Sequence, residues 1–545
     1  MKQAKINTLL GCIFIAAACL VAYIPAIKGD FIWDDDRYIT TNPLLTAPDG
    51  LWRIWFTTDS PSQYFPLTYT TFWLEHKLWG FNPVPYHITN VVIHIISSLL
   101  LWLILRRLSI PAAFMAAAVF AFHPVNVESV AWITERKNVL MMVFSLLSLL
   151  FWIELTLRPQ IKKKVFLFYL LSLFCYALAL FSKTTACVLP AALVLVIWLK
   201  DTPFKIKSLL LLIPYIAMGF AAGLLAMWWE HHHQGTGLVD MDLSILEKLL
   251  ISTRALWFYA GKIFFPVNLA FSYPRWDINP ADLSQYIWPL ACLLTAAVLW
   301  FCRKKLGRGV IAAVLFYVAA LFPMLGFFPL YTFVYTWVAD HYQYMATIAL
   351  ITLAAAVGYR LLSSFGKYAK IAKPLVSAVL LLACAVLTWR QCRIYTNLEA
   401  LWNDTLKKNP DSWVAHNNLG QMLFEHGKTD ELIYHLARAI EIAALNPAVH
   451  PYVIASMRCN LALAYQSQNK FQDAIDQLRI AKKIFPKELK IYLLLIDLLD
   501  SQNRLDEAVA TAEEALKLAV ATQDNEMVIL LRGMIEQYTT VPLKF

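Results

Sequence analysis

YHITNVVIHIISSLLLWLIL, residues 86–105, carries no Asp, Glu, Lys or Arg and is closed at once by Arg106-Arg107. As an α-helix rising 1.5 Å per residue, the run is roughly 30 Å long, the thickness of a bilayer's hydrocarbon core. Similar runs lie on both sides of it, at 7–27, 110–124, 139–157, 165–181, 185–199, 209–229, 286–302, 310–330, 344–362 and 374–389. The composition agrees, with 59% hydrophobic and 15% charged residues and a mean hydropathy of +0.55. Such a chain needs lipid, and the expected fold is all-α, a polytopic membrane bundle of about eleven spans.

The loop charges set an orientation. With the N-terminus in the cytoplasm, Arg106-Arg107, Arg158 with Lys162 to Lys164, Lys200 with Lys205 and Lys207, Arg303-Lys304-Lys305, and Lys367 with Lys370 and Lys373 all fall inside. Every second loop is basic, as the positive-inside bias requires. The net charge of +10 therefore reports topology and gives no reason to expect nucleic acid as a partner. Segment 249–266 is apolar but holds Arg254 and Lys262, and a crossing there would invert every later loop, so it is expected to be interfacial or re-entrant. The first run is read as an uncleaved span rather than a signal or a lipoprotein site at Cys19. Nine cysteines, several inside apolar runs, show neither a disulfide framework nor zinc spacing.

After residue 389 the pattern changes to alternating charged and apolar residues with helical period. Leu461, Ala462, Tyr465, Ala474, Leu478, Ala481 and Pro486 fall where a tetratricopeptide repeat places its packing residues, and Ala508, Ala512 and Ala515 continue the series at the 34-residue period. The expected division is a membrane domain at 1–395 and a repeat α-solenoid at 396–545. The repeats fall near 413–446, 455–488 and 489–522, with a capping helix at 525–538. An odd number of crossings puts this solenoid on the non-cytoplasmic side, with loop 28–85. Two aromatic-rich stretches of that loop, 51–56 and 66–79, are expected as helices lying in the membrane interface.

Three places could carry chemistry. Asp34-Asp35-Asp36 follow the first span by a few residues, and adjacent carboxylates repel, so at least one is expected to have a raised pKa and to serve as a proton acceptor. A solvated acidic turn or a divalent-cation site is the plainer reading. The link between the third and fourth spans holds His123, Glu128, Arg136 and Lys137, and Lys183 follows the fifth span; these cations stand on the disfavoured side, which suggests an anionic ligand such as a lipid phosphate. Snorkelling side chains are the simpler account of each alone. On the second span His87, Asn90 and His94 recur at i, i+3 and i+7, so one polar face is expected to look into a cavity. Asp340 and His341, with Tyr344 just beyond, open the tenth span on the same side. No metal-ligand set is read; His231-His232-His233 on an extended stretch could not readily share one ion.

In this order FIWDDDRYITTNP (31–43), PLTYTTFWLEHKLWGFNPVPYHITNVVIH (66–94), HPVNVESVAWITERKNVL (123–140) and ADHYQYMA (339–346), then the repeats, resemble the transmembrane-and-tetratricopeptide-repeat O-mannosyltransferases and their bacterial relatives, within the GT-C glycosyltransferase superfamily. The resemblance implies a membrane enzyme that moves a sugar from a polyprenyl-phosphate donor to a hydroxyl acceptor, a protein Ser or Thr or else a lipid-linked glycan. It implies Asp34 as general base, Asp35 as its partner and Asp36 as a lesser neighbour. Arg136, Lys183 and His341 would hold the donor phosphate, and His87, Asn90, His94, His123, Glu128, Asp340 and Tyr344 would line the substrate cavity. Relatives carry Arg where this chain has His341, a weaker and pH-dependent phosphate partner. No organic cofactor is implied; a divalent cation at the acidic cluster stays open. The repeats would dock a protein or peptide, and a bacterial chain would sit in the inner membrane. A non-catalytic membrane scaffold is the competing reading.

Overall fold

A computed structural model describes the chain except for residues 1, 61, 158–164, 201–208, 234–242, 426–427 and 541–545. Arg158, Lys162 to Lys164, Lys205 and Lys207, on which part of the orientation argument rests, lie outside the described residues. The described residues contain helices and no strand. They fall into two compact units, with the change at Leu401 to Trp402, a few residues past the break at 395 read from composition.

Seven helices of the first unit are long and apolar enough to cross a bilayer: Lys5–Ala22, Pro83–Arg107, Ile133–Thr156, Val165–Ser182, Leu283–Phe301, Arg303–Met324 and Gly366–Tyr395. An eighth is the pair Ala113–Phe122 and Pro124–Ala131, bent by 51°. His123-Pro124 makes the bend, because proline lacks the N–H that would continue the ladder. The expectation of about eleven exceeds this by three. Thr184–Leu199 and Thr347–Ser363 are shorter apolar helices, and Ile213–His233 ends in Glu230 and three histidines. A short 3-10 turn at Thr184–Val188 takes up the first part of the run at 185–199, and the run that opens at 344 becomes α-helix only from Thr347. The lipid-facing sides are plainly apolar, with Leu9 61% and Leu293 68% exposed, surface that water would not tolerate at this extent.

Helix Ile245–Phe264, which covers the 249–266 segment, is absent from this set of spans. Ser244 and Glu247 form a capping box at its start. Its two cations are met by the irregular chain that follows: Arg254 stacks 4.3 Å over Trp276, and Lys262 donates to the Val267 and Asn268 carbonyls at 2.8 and 3.1 Å.

The acidic loop is not a loose excursion. Helices Pro43–Thr46, Gly50–Phe56 and Pro66–Trp79 fold it into a cap around Tyr38, Ile39, Leu44, Ile54, Tyr69 and Phe72. Gly50 is required where the chain turns back, since a Cβ there would stand 1.8 Å from the Leu44 carbonyl oxygen. The opposite sides of these helices leave Trp52, Phe56 and Leu78 exposed.

In the second unit, helix pairs Trp413–Glu425 with Thr429–Ala444, Pro451–Ser467 with Phe471–Ile484, and Leu489–Ser501 with Leu505–Ala521 are followed by Asn525–Thr540. Ala474, Leu478, Ala481, Ala508, Ala512 and Ala515 lie in one buried core. Small residues there let neighbouring helices approach closely. The Ser-Gln-Asn that ends the first helix of a pair recurs at 467–469 and 501–503; Asn469 and Asn503 take φ of +59° and +57°, and the next N–H bonds back to Tyr465 and Leu499. This is a left-handed helix stop of the kind asparagine tolerates.

Candidate functional site

The acidic motif begins with strain. Trp33 has φ +49°, a conformation that costs energy for a bulky L-residue. The turn folds the next carboxylate back on its own chain: Asp35 accepts the Ile32 N–H at 2.9 Å. The same carboxylate accepts the Thr134 N–H at 2.8 Å and its hydroxyl at 2.5 Å. Asp35 is fully buried, and burial pushes its pKa up to about 7 although these donors pull it down. Asp34 is half-buried; burial pushes it up to about 6, against the pull of Lys137 and Arg37 and with the Trp33 indole donating to it. Asp36 is exposed and accepts the Thr40 hydroxyl at 2.9 Å. It takes a local turn role, and its own residues give it no place beside the other two.

The partner of this motif is the bent-pair link. Every residue from Ala116 to Val143 is buried, so its charges must be met inside the protein. Glu135 is the hub. One oxygen lies 2.8 Å from Lys137 and 3.9 Å from the His341 Nε2; the other lies 3.3 Å from Lys183 and accepts the Asn138 amide at 2.5 Å. The Lys137 ammonium sits over the Tyr38 and Trp132 rings, at 5.1 and 5.7 Å. His341 Nδ1 meets Glu128 at 2.6 Å. Burial pushes the imidazole down to about 3 and the Lys183 amine down to about 8, the latter against the pull of Glu135.

Arg136 does not join this group. Its guanidinium pairs with Glu75 at 3.0 Å, donates to the Tyr86 carbonyl at 2.9 Å and the Thr71 hydroxyl at 3.3 Å, bonds Asn90, and lies 5.2 Å over Phe72. It is 0% exposed, with its donors spent on protein. The cause is helical phase: Arg136 begins helix Arg136–Leu157, and successive residues point roughly 100° apart, so Arg136 and Lys137 cannot face one ligand together. The guanidinium of Arg136 is thus engaged by Glu75, Asn90, Thr71 and Tyr86, His341 is engaged by Glu128, and Lys137 is the cation of this helix start that meets Glu135.

The polar face of helix Pro83–Arg107 also meets protein. Asn90 donates to the Trp132 carbonyl at 3.2 Å, and His94 bonds the Tyr344 hydroxyl at 2.6 Å and the Ala121 carbonyl at 3.2 Å. His87 is buried against the backbone of Gly29, Asp30 and Ala131, and His123 bonds the Ile263 carbonyl at 2.9 Å. Asn90, His94, His123 and Tyr344 thus hydrogen-bond between segments, whereas both ring nitrogens of His87 are buried without a hydrogen-bond partner among the described residues. The i, i+3, i+7 pattern identified a buried polar face without saying what fills it. Glu128 and Asp340 remain near the charged cluster; Asp340 accepts the Tyr273 hydroxyl at 3.0 Å. Among the described residues no group of three or more His, Cys, Asp and Glu is arranged to hold a metal ion.

Thr134 and Glu135 were not singled out from sequence, and Lys137 was noted there for its charge without a role of its own. Lys137 carried the same charge-bias signal as Arg136. Thr134 carried none.

The fold is that of a polytopic helical membrane protein followed by a tetratricopeptide-repeat solenoid. Residues 59–229 match the family described as dolichyl-phosphate-mannose-protein mannosyltransferase, and residues 459–524 match the tetratricopeptide repeat. A protein O-mannosyl-transferase of Caenorhabditis elegans is 25% identical over 453 residues, 79% of this chain and 62% of that protein. Protein O-mannosyl-transferase TMTC1 of Homo sapiens is 24% identical over 489 residues, 78% of this chain and 54% of that protein. The chain therefore spans between half and two thirds of the length of these two relatives. Among solved structures, ArnT from Cupriavidus metallidurans bound to undecaprenyl phosphate is 14% identical with a TM-score of 0.35, over 83% of this chain and 80% of that one. By these matches the chain is similar to protein O-mannosyl-transferases over most of its own length.

Proposed function

We propose that this protein is a membrane glycosyltransferase that moves a sugar, mannose by analogy with its named relatives, from a polyprenyl-phosphate donor to a Ser or Thr hydroxyl of a protein. One observation carries the reading: Asp34, from the first loop, lies within electrostatic reach of Lys137 and Glu135, its neighbour Asp35 is hydrogen-bonded to Thr134 of that same segment, and Glu135 joins Lys137 to Lys183 from a third segment. Such a meeting of a poised base with fixed cations is what transfer from a phosphate leaving group requires.

In the step proposed, the acceptor oxygen attacks the anomeric carbon, the bond from that carbon to the phosphate oxygen breaks, and the electron pair leaves with the polyprenyl phosphate. Asp34 takes the acceptor's proton. Asp35, clamped by Thr134, fixes the turn that presents Asp34. Lys137 and Lys183 oppose the charge growing on the phosphate. Lys183, with an amine near 8, is still mostly charged at neutral pH. The basic pair Arg106-Arg107, one crossing after the acidic loop, supports placing that loop on the non-cytoplasmic side; the repeats share that side when Thr184–Leu199, Ile213–His233 and Thr347–Ser363 cross as well, which restores an odd number of crossings. The repeats would hold a protein acceptor.

The test is Asp34→Asn in full-length protein inserted normally in the membrane, assayed for transfer of labelled mannose from its polyprenyl phosphate to protein. Transfer is expected to fall by roughly 100-fold or more. Undiminished transfer would remove Asp34 as the base, and label found in lipid-linked glycan alone would change the acceptor.

A further inference from the structure

We propose that Glu135 is a positioning residue of the phosphate site: its carboxylate fixes the spacing of the Lys137 and Lys183 ammonium groups and sets the charge of the pair they present. This rests on the transfer reading above. The two lysines come from segments 46 positions apart in sequence, and nothing in their own backbones fixes the distance between the two amines. Glu135 supplies the ruler. It holds one lysine on each oxygen, at 2.8 and 3.3 Å, and is itself held by the Asn138 amide at 2.5 Å. At 1% exposure it has no solvent in which to swing.

The charges add up in a telling way. Two ammonium groups and one carboxylate leave a single positive charge, which suits a phosphodiester monoanion such as a polyprenyl-phosphate sugar. On transfer the departing phosphate becomes a monoester that gains a second negative charge while Asp34 is neutralised by its proton. A cradle with two uncompensated positive charges would bind the product better than the substrate and so retain it. Glu135 prevents that excess without separating the lysines. Glu128 is bound to His341 and acts on Lys183 at longer range; Glu135 is the carboxylate that pairs with both lysines.

The experiment uses full-length protein in lipid nanodiscs and compares Glu135→Gln and Glu135→Asp with the native chain. Initial rates are measured with polyprenyl-phosphate mannose, and binding with undecaprenyl phosphate. Glu135→Gln is expected to lower kcat at least tenfold, with an unchanged or lower donor KM and tighter undecaprenyl phosphate binding. Glu135→Asp, which keeps the charge but draws it back by one methylene, is expected to recover part of kcat. Native kcat and KM in Glu135→Gln would overturn the role. So would kcat falling only in step with the melting temperature, without recovery in Glu135→Asp. Should Glu135→Gln fail to fold, Glu135→Asp decides alone, since a native kcat there with the carboxylate drawn back from the lysines by a methylene refutes the spacing argument. Lys137→Met and Lys183→Met separate the two readings. If neither weakens undecaprenyl phosphate binding, the phosphate site itself is wrong; if both do and Glu135→Gln behaves as native, only the role of Glu135 falls.

Discussion

Replacing Thr134 by Val removes one atom's worth of chemistry from the acidic motif and leaves its shape. The hydroxyl bond to Asp35 at 2.5 Å is lost, and the backbone N–H bond at 2.8 Å is kept. A hydrogen bond to a charged group contributes roughly 1.5–3 kcal/mol, and one pKa unit corresponds to about 1.4 kcal/mol. Allowing for the retained N–H, the Asp35 pKa should rise by roughly one unit from its present value of about 7. The sign follows from the proton count. The folded-state pKa already exceeds the unfolded value of about 3.9, so the native state binds more protons between these values. Stability therefore falls as pH rises from about 4 to about 7, by up to ~1.4 kcal/mol per unit, and in Thr134→Val the fall continues roughly one unit further. In activity the active form carries both carboxylates ionised. The acid limb of the kcat/KM profile, near 6 to 7 in the native chain, should move up by roughly one unit, with rates converging above it. Thr134→Ser keeps the hydroxyl and should keep the profile. An unmoved acid limb in folded Thr134→Val, or a loss equal at every pH, would refute the clamp.

Other perturbations read other parts of the assembly. Arg136→Met leaves Glu75 buried without its cation, so thermal stability in detergent should drop by an amount on the order of 3–5 kcal/mol while the donor KM of the surviving protein stays near native; a selective KM rise with full stability would restore Arg136 to the phosphate. His341→Gln should keep transfer and an unaltered pH profile between 5 and 9, because burial holds the native imidazole down to about 3 and the amide can still donate to Glu128; a lost limb near 6 would show that this histidine titrates in function. Asn503→Ala forces a Cβ-bearing residue without a helpful polar side chain into φ +57° and should cost ~1 kcal/mol in the unfolding of the repeats, whereas Asn503→Gly should not.

How far the sequence could be read depended on what decides each feature. Hydropathy runs and alternate basic loops mark spans because lipid imposes its demand residue by residue, and Ala474, Ala508 and Ala512 mark the repeats because only small side chains fit between those helices. The surplus of expected spans arose where an apolar run is shortened, by the tight turn at Thr184–Val188 or by a helix that begins only at Thr347, since composition does not record where a helix starts. Asp34 and Asp35 were legible by charge; the split between them was not, because it depends on a clamp from a residue 99 positions away.

The sharpest lesson is the exchange of Arg136 for Lys137. Both stand at the start of one helix, and charge alone cannot say which faces inward. The five residues 133–137 place Thr134 on Asp35, Glu135 on two lysines, Arg136 on Glu75 and Lys137 beside Asp34. A one-residue slip in the start of that helix would rotate every one of these groups by about 100°, sending the lysine into the Glu75 pocket and the arginine to the place where Glu135 now stands. The ion pair of Arg136 with Glu75 therefore does more than neutralise a buried charge. By fixing the rotation of the helix start it determines that the neighbour pointing at Asp34 is a lysine with Glu135 behind it, so the structural pair and the proposed reaction site depend on the same register.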